Sequence, residues 1–386
     1  MRKKKSEILN IIKEEIISNY KSYILVIILF SVGLVMIYSA SNVTAFMVNE
    51  TTPWRYFIRE IIFMTIGLFG ALVLLMTPFK KYYRWSLFFT LFFTGLIFCL
   101  VVWGTVTNGA TNWIGYKGLG IQPSEFVKIT SIPLFALYYE KNKKYQDNKI
   151  RMITPLIIGG LITLLIIAQK DWGTAVIYAS IVIFMFFFSN ASKKIKVDIF
   201  KKGLVLLVFG ILLITFAGDK ILGDKIARFN FNAPCDRYLT DGNQLCNGFI
   251  AMNGGGLFGK GLGKSTQKYL YLPEPYTDFI FAIFVEELGL LGAVGLLILY
   301  LLLIVRIVVI GKKSTKESYT LMCYTIAFYI FIHIAVNLGG VLGIIPMTGV
   351  TLPFLSYGGS ICISIIAALT IVQKVAIETK KSVNKV

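Results

Sequence analysis

A carboxylate, Asp278, ends a segment that is well suited to hold a catalytic group. The segment covers residues 273–278, reads PEPYTD, and leads into a long apolar run that begins at Phe279. Each proline fixes one backbone angle, so the approach to the carboxylate is stiff. Asp278 is therefore a candidate general base for a hydroxyl proton, and Glu274 is the second candidate. The alternative is that Thr277 or Asp278 caps the helix that follows.

Other ionisable residues lie at the ends of apolar runs. Glu125 and Lys128 are three positions apart and share a helix face, so Lys128 could hold a phosphate with Glu125 orienting it. A structural ion pair is the alternative. Arg59 is a second candidate cation, unless it only reaches toward the membrane interface. Asp171 begins another apolar run.

Two further segments have unusual composition. Residues 254–264 read GGGLFGKGLGK, which lacks the GxxxxGK[ST] phosphate motif. They could form an amide-rich turn near an anionic headgroup or a plain linking turn. Residues 343–360 read GIIPMTGVTLPFLSYGGS and include Ser356. We expect them to fold back and line a cavity, because non-helical backbone at membrane depth needs a protein or water environment.

The composition restricts the class of protein that positions these groups. Of the 386 residues, 56% are hydrophobic and 15% are charged, and the mean hydropathy is +0.72. Soluble domains carry about 25% charged residues. The sequence therefore disfavours a soluble enzyme, a disordered protein and a nucleic-acid-binding domain, and indicates one integral membrane domain.

Ten stretches approach the roughly 20 apolar residues that a membrane-spanning helix needs. They predict an all-α integral membrane protein with ten transmembrane helices. The spans are approximately Tyr23–Ser39, Ile61–Thr77, Trp85–Trp103, Ser124–Tyr139, Ile153–Ile167, Gly173–Ser189, Leu204–Ala217, Phe279–Ile304, Tyr319–Val341 and Leu352–Val372.

The distribution of positive charge predicts the orientation. Most of the 39 Lys and Arg residues lie at the two termini and in alternate loops, which is typical of the cytoplasmic side. Both termini are then cytoplasmic, and residues 219–278 form a long extracytoplasmic loop between spans seven and eight. No single face collects the net charge of +19, so no nucleic-acid partner is expected.

The domain organisation follows from these spans. Residues 1–22 form a cytoplasmic amphipathic segment, either an interfacial helix or a solvated tail. Residues 23–375 form the polytopic membrane domain, and residues 376–386 form a cytoplasmic tail. Cys235 and Cys246 share the oxidising side of the membrane and form either a disulfide or two free thiols. The spacing of Cys and His residues predicts no metal site.

Intramembrane polarity is confined to the outer half of the predicted spans. Besides the residues above, it includes Glu286, Glu287, His333 and Asn337. A transporter needs polar groups at the midplane with access from both sides. An enzyme that acts on a lipid headgroup needs them at one surface, and the pattern favours the enzyme.

Four long motifs resemble those of the SEDS family, the FtsW/RodA/SpoVE proteins. In order they are TNGATNWIGYKGLGIQPSEFVKI, KDWGTA, YLPEPYTDFIFAIFVEELGLLG and VNLGGVLGIIPMTGVTLPFLSYGGS. The resemblance covers roughly residues 20–375 and is closer to the FtsW and SpoVE branch. It implies a peptidoglycan glycosyltransferase that polymerises lipid II into glycan strands at the outer face of the bacterial cytoplasmic membrane, in division, cell shape or sporulation.

The resemblance also implies roles for individual residues. Asp278 matches the catalytic position. The implied substrate- or pyrophosphate-binding residues are Arg59, Trp113, Gln122, Glu125, Lys128, Asp171, Glu274 and Ser356. The chain departs from the family pattern where Thr111 and Asn112 replace basic residues before the tryptophan, and where His333 replaces a glutamine.

The implied chemistry requires no nucleotide or redox cofactor, because the donor is an activated polyprenyl pyrophosphate. A divalent cation, Mg²⁺ or Mn²⁺, could accompany the pyrophosphate. The implied partners are lipid II, the growing strand, a class B penicillin-binding protein, and divisome or elongation proteins. Two alternatives remain: a lipid II flippase, and a non-catalytic scaffold for the penicillin-binding protein.

Overall fold

A computed structural model describes residues 20–104, 111–116, 119–205, 233–239 and 242–383 of the chain. Residues 1–19 of the predicted amphipathic segment 1–22, and nearly all of the predicted seventh span, lie outside these ranges. The described residues form eleven α-helices, three short 3₁₀ helices and one short hairpin. The helices are α1 (Tyr20–Met47), α2 (Arg55–Met76), α3 (Tyr82–Trp103), α4 (Pro123–Lys141), α5 (Lys149–Ala168), α6 (Trp172–Phe188), α7 (193–205), α8 (Asn243–Gly255), α9 (Ile280–Lys312), α10 (Glu317–Val341) and α11 (Gly359–Val383).

Seven of the described helices are long and apolar enough to cross a membrane, so the chain is a multi-pass membrane protein. They are α1, α2, α3, α5, α9, α10 and α11. Helix α6 is shorter, at 17 residues. Helix α4 is less apolar because it carries Glu125 and Lys128 in its first two turns. Both helices coincide with predicted spans.

The helices pack around α10 and α11, which are the most buried, while α2 and α3 lie at the periphery. Peripheral side chains such as Phe69 and Met76 are exposed, as expected where a helix faces lipid. Small residues allow close contact near the centre. A Cβ atom at Gly33 of α1 would lie 1.9 Å from the carbonyl oxygen of Phe354, so the segment before α11 rests directly on this glycine.

Polar contacts show which helix ends lie together. At one end, Gln122 before α4 binds Asp171 before α6 and Ser360 of α11, and Asn337 of α10 binds Asp278 before α9. We call this the site end. At the opposite end, Lys143 after α4 pairs with Glu317 of α10, with 2.6 Å between nitrogen and oxygen. Helices α4 and α10 are therefore antiparallel, as their predicted alternation requires.

Some predicted boundaries were wrong. The tenth span does not begin at Leu352, because the chain stays non-helical until Gly359. Proline interrupts this stretch, and Phe354 has a φ of 66°, which a helix does not accept. Helix α11 continues to Val383 through most of the predicted tail. A hairpin of β1 (Ile114–Tyr116) and β2 (Leu119–Ile121), which the sequence did not predict, precedes α4.

Helix α9 is broken at Gly289, and the glycine-rich segment binds the break. Gly289 has a φ of 73°, and the carbonyls of Glu286 and Glu287 accept hydrogen bonds from the amides of Lys260 and Gly261, both at 2.9 Å. Beyond the break, the Leu290 amide donates to the carbonyl of Gly256 at 2.9 Å. Residues 254–264 therefore satisfy the backbone groups that the break exposes, and they do more than a plain linking turn. A contact with an anionic headgroup stays a prediction.

Two buried glutamates strengthen this contact. The carboxylates of Glu286 and Glu287 are 0% exposed and pair with Lys260 at 2.7 Å and with Lys268 at 3.1 Å. Glu287 also accepts hydrogen bonds from Ser39 of α1 at 2.7 and 2.8 Å. Buried charges are tolerated when they are paired and hydrogen-bonded. The glycine-rich segment, α1 and the first part of α9 thus form one unit.

We predict that Gly289→Ala destabilises the fold. A Cβ atom there would lie 2.4 Å from both the amide of Gly259 and the carbonyl of Leu257, and the positive φ adds strain, so the cost is about 3 kcal/mol. The measurement is the thermal midpoint of unfolding of the purified protein in detergent. Gly295→Ala is the control, because this α9 glycine has open space around it. Equal midpoints for the two variants would contradict the assigned role of Gly289.

Candidate active site

The main chain at Asp278 is tied to the C-terminal part of α10. The Asn337 side-chain amide donates to the carbonyl of Asp278 at 2.8 Å and to the carbonyl of Val350 at 2.7 Å. One side chain thereby holds both the segment before α9 and the non-helical segment after α10. Asn337 is 3% exposed, so water competes little for these bonds.

A cluster of three tyrosines, Tyr56, Tyr276 and Tyr357, provides a second set of contacts to the same segment. The Tyr276 hydroxyl donates to that of Tyr56 at 3.0 Å, and their ring centroids are 4.4 Å apart. The Tyr357 amide donates to the carbonyl of Tyr276 at 2.9 Å. Aromatic contacts of this kind stabilise a folded protein by more than their buried apolar area alone would predict. The cluster joins the start of α2, the PEPYTD segment and the segment before α11.

Helix α8 contacts residues just before and just after the PEPYTD segment. The Asn247 side chain donates to the carbonyl of Tyr271 at 2.7 Å, and a Cβ atom at Gly248 would lie 2.7 Å from the ring of Phe279. The neighbouring Cys246 forms a disulfide with Cys235, with 5.0 Å between the Cα atoms. The disulfide fixes the first turn of α8 to the turn that precedes it.

The Asp278 side chain is half-buried, and one carboxylate oxygen accepts a hydrogen bond from the Thr277 hydroxyl at 3.0 Å. The N-cap of α9 is Phe279, which has no side-chain cap, so Asp278 is not the N-cap residue. Burial raises the pKa of Asp278 above its usual range, although hydrogen bonds partly oppose the shift. A higher pKa makes a carboxylate a stronger base at neutral pH.

Glu274 lies on the exposed side of the same segment. Partial desolvation, and then the charge of Asp278, raise the pKa of Glu274. The two carboxylates are thus close enough for their charges to interact, and Asp278 is the more buried of the two.

Arg59 reaches the tyrosine cluster from α2. It is half-buried and lies against the side chain of Tyr357. The next residue, Glu60, is 4% exposed and accepts a hydrogen bond from the amide of Gly358 at 3.3 Å. The sequence did not single out Glu60, although a glutamate at the start of an apolar run was a signal for it. Nor did it single out the tyrosines, which no spacing rule distinguishes from core residues.

Lys128 lies in a buried polar cluster. Its side chain is 0% exposed, and its ammonium donates to Glu125 at 2.7 Å and lies 3.0 Å from Nε2 of His333. The ammonium must donate to this nitrogen, because it has no lone pair to accept with. The structure thus contains the ion pair that was the alternative to phosphate binding, with His333 as a third member that the sequence did not predict.

Asp171 is the centre of a second hydrogen-bonded junction. It caps α6 by accepting from the amide of Thr174 at 3.1 Å. Its other oxygen accepts from Asn112 and from Gln122, both at 2.7 Å. The Asn112 side chain occupies the position where the family pattern has a basic residue, and it binds this carboxylate. Asp171 and Gln122 therefore connect the loop before α4 to α6.

The two remaining candidates have structural contacts. Ser356 is buried and its hydroxyl accepts from the amide of Leu352 at 2.8 Å, which closes a turn before α11. Trp113 is 44% exposed, and its ring covers Gly120 in the hairpin.

A cavity of about 10 Å³, room for one water molecule, lies beside Asp278 between α10 and the segment that follows it. Its lining residues are Asp278, Phe279, Asn337, Gly340, Val341, Met347, Thr348, Gly349 and Val350. This agrees with the expectation that residues 343–360 wall a cavity. Among the described residues, no three His, Cys, Asp or Glu side chains converge as a metal-ligand set would.

The site end therefore contains two adjacent groups of polar residues. Asp278, Glu274 and Arg59 lie around the tyrosine cluster. Lys128 and Glu125 form a separate buried cluster with His333. His333 and Asn337 link the groups, because residues four apart on α10 lie on the same face, about 6 Å apart.

Together, the fold and the site define a polytopic helical membrane protein with a polar, carboxylate-bearing site at one end of its helices. The family model described as "Cell cycle protein", for FtsW, RodA and SpoVE, matches residues 20–381. The chain belongs to this family.

The chain is similar over most of its length to two proteins of Bacillus subtilis (strain 168). It is 35% identical over 377 residues to the "Probable peptidoglycan glycosyltransferase FtsW" of Bacillus subtilis (strain 168), covering 95% of this chain and 92% of that protein. It is 35% identical to "Stage V sporulation protein E" of the same organism, covering 87% of this chain and 91% of that protein.

Two solved structures share the fold. A chain from the structure described as "Structural coordination of polymerization and crosslinking by a peptidoglycan synthase complex" has a TM-score of 0.73 and 22% identity, covering 94% of this chain and 98% of that chain. The Thermus thermophilus rod shape determining protein RodA has a TM-score of 0.62 and 24% identity, covering 94% and 97%.

We predict that His333→Leu destabilises the protein by about 1–3 kcal/mol, because the buried Lys128 ammonium loses a hydrogen-bond acceptor. His333→Gln is the matched variant, since its amide oxygen can accept in place of Nε2, and it should retain most of the stability. The thermal midpoint in detergent distinguishes the variants. If the leucine variant unfolds at the wild-type midpoint, the ammonium does not depend on His333.

Proposed function

We propose that this protein is a peptidoglycan glycosyltransferase that polymerises lipid II into glycan strands, with Asp278 as the general base. The observation that carries the proposal is the position of Asp278. Its main chain is fixed by Asn337 and by the tyrosine cluster, while its carboxylate remains partly exposed beside a cavity. The family membership and the B. subtilis relatives support the reaction class.

The chemistry is a single displacement. The carboxylate of Asp278 accepts the proton of the acceptor hydroxyl, and the freed oxygen attacks the anomeric carbon of the donor sugar. The bond between that carbon and the phosphate oxygen breaks, and polyprenyl pyrophosphate leaves. The α-linked donor thus gives a β-linked strand without a covalent enzyme intermediate. A raised pKa at Asp278 suits this role, since the base must compete for a hydroxyl proton near neutral pH.

Arg59 is the better-placed cation for the leaving pyrophosphate. It is half-buried beside the tyrosine cluster that holds the PEPYTD segment. Lys128 is fully buried and paired with Glu125, so we assign it to positioning α4 against α10 in this conformation. Contact between Lys128 and a phosphate would require the cluster to open.

The remaining candidate residues support the site in this account. Glu274 flanks the base at the exposed side, Trp113 offers an aromatic surface for a sugar or lipid, and Asp171, Gln122 and Ser356 hold the surrounding loops. We assign no resident cofactor, and we propose that any Mg²⁺ or Mn²⁺ would arrive with the pyrophosphate of the substrate.

We further propose ten spans with both termini in the cytoplasm, which places the site end at the extracytoplasmic face of the bacterial cytoplasmic membrane. The charge distribution of the loops supports this orientation. A class B penicillin-binding protein is the proposed partner. The shared fold with a chain of a peptidoglycan synthase complex supports it. Divisome or elongation proteins would join the same assembly.

A lipid II flippase fits less well, because the junctions that contain Asp278, Lys128 and Asp171 all lie at the site end. At the opposite end, the pair Lys143–Glu317 is exposed, with side chains 59% and 54% accessible, as expected outside the membrane. A non-catalytic scaffold is the second alternative, and it differs from the proposal in one property: it does not need a basic carboxylate at Asp278.

We predict that Asp278→Asn abolishes lipid II polymerisation by the purified protein, because the amide preserves the shape but cannot accept the proton. The loss should be at least about 100-fold, measured as glycan strands formed from labelled lipid II in detergent. The partner should be present in every reaction.

Glu274→Gln is the matched control, since it makes the same chemical change four residues away on the exposed side. It should retain most activity, and the thermal midpoints of both variants should remain near wild type. Polymerisation by Asp278→Asn at the wild-type rate would exclude Asp278 as the base and leave the scaffold alternative.

A further inference from the structure

Glu60 is a buried carboxylate that the proposed reaction does not use. It lies in the second turn of α2 and is 4% exposed. Its neighbour in sequence, Arg59, lies against the side chain of Tyr357. Burying a carboxylate costs free energy unless the group is hydrogen-bonded. The contacts of Glu60 therefore show what the protein gains from keeping it.

Glu60 contacts the start of α11. The amide of Gly358, the residue before this helix, donates to Oε2 of Glu60 at 3.3 Å, and the thiol of Cys362 lies against the same carboxylate. Helix α11 has no acidic residue in its own first turn. In a capping box, a glutamate within the helix accepts from the amide at the helix start, where the helix dipole favours a negative group. Here α2 supplies that glutamate.

Apolar packing holds the same two elements together. Phe63 lies one turn after Glu60 on α2, and a Cβ atom at Gly359 would lie 2.3 Å from its ring. The ring therefore rests directly on the first residue of α11. The carboxylate and the ring together set the position of Gly358 and Gly359 relative to α2.

The start of α11 is also connected to the segment that carries the base. Tyr357 directly precedes Gly358, and its amide donates to the carbonyl of Tyr276 at 2.9 Å. Tyr276 lies two residues before Asp278. Because Tyr357 and Gly358 share a planar peptide bond, a shift of the Gly358 amide also moves the backbone that holds Tyr276.

We propose that Glu60 is a positioning residue for Asp278. By binding the Gly358 amide it holds the start of α11 against α2, and this fixes the Tyr357 amide that binds the Tyr276 carbonyl. The inference rests on the proposed function. Glu60 does not touch the substrate in this account, so its loss should affect the placement of the base more than the binding of lipid II.

Two variants of Glu60 separate its roles. Glu60→Leu removes the acceptor, whereas Glu60→Gln keeps one, because an amide oxygen can accept from the Gly358 amide. With the partner present, Glu60→Leu should lower kcat for lipid II polymerisation by about ten-fold, since misplacement by 1 Å can cost about 100-fold. KM should stay within about two-fold of wild type. Glu60→Gln should restore most of kcat.

Gly67→Ala is the control for loosened packing. Gly67 lies seven residues after Glu60 on the same helix, and a Cβ atom there would lie 2.7 Å from the side chain of Ile366 in α11. The variant disturbs the contact between α2 and α11 away from the Asp278 segment. It should lower the thermal midpoint of unfolding and leave kcat near that of the wild type.

Hydrogen exchange measures the positioning without using activity. In Glu60→Leu, the peptide that contains the amides of Tyr357 and Gly358 should exchange faster by about ten-fold, as expected when one hydrogen bond is lost. The same peptide should exchange at the wild-type rate in Glu60→Gln and in Gly67→Ala. Glu60→Ala replaces the leucine variant if that variant does not fold.

A wild-type kcat in Glu60→Leu would overturn the assignment. So would equal losses of kcat in the leucine and glutamine variants, or unchanged exchange at Tyr357 and Gly358. None of these results affects the proposed function, because the wild type would still form glycan strands. Failure of the wild type with its partner to polymerise lipid II would instead count against the proposed function itself.

Discussion

The structure depends on how a carboxylate is held at the edge of an apolar helical bundle. The two carbonyls that Asn337 binds belong to Asp278 and Val350, which lie on segments that are distant in sequence. Without this side chain, both segments would present unpaired carbonyls in a region with little water. The same bonds leave the Asp278 carboxylate itself available. Positioning through the main chain therefore preserves the chemical group that reacts.

Two clusters of buried charge keep the surrounding helices in register. Lys128, Glu125 and His333 connect α4 to α10, and Glu286 and Glu287 connect α9 to the glycine-rich segment. Breaking a buried ion pair leaves an uncompensated charge, so each cluster resists rearrangement. One cluster includes Glu286 and Glu287 of α9, the helix that follows the Asp278 segment, and the other includes His333 of α10, the helix whose Asn337 binds that segment.

Much of the architecture could be predicted from local sequence. Runs of apolar residues predicted the long helices, and the prolines around Glu274 predicted a stiff segment before Asp278. The predicted span beginning at Leu352 overlapped residues 343–360, which the sequence also predicted to be non-helical. The structure follows the second prediction, and the turn packs against Gly33. The break in α9 at Gly289 was not predicted either. The residues whose backbone binds the break, within 256–261, lie 28 or more positions before Gly289.

The candidate site divides in the same way. The residue types predicted Asp278 as a carboxylate at a helix start, but not its partner Asn337, whose role arises only from folding. Lys128 and Asp171 were singled out as candidate substrate- or pyrophosphate-binding residues, and that role stays a prediction. Their engagement with His333 and Asn112 could not be predicted, because pairing between distant side chains has no signal in a single sequence.

The central claim is that the base is fixed in place, and Asp278→Glu tests this most directly. Glutamate keeps the acid but moves the carboxylate outward by one methylene, and a displacement of about 1 Å can cost about 100-fold in rate. The measurement is the rate of lipid II polymerisation by the folded variant with its partner. We predict a loss of that order. A rate near that of the wild type would show that the segment adapts to the longer side chain, and would contradict the account.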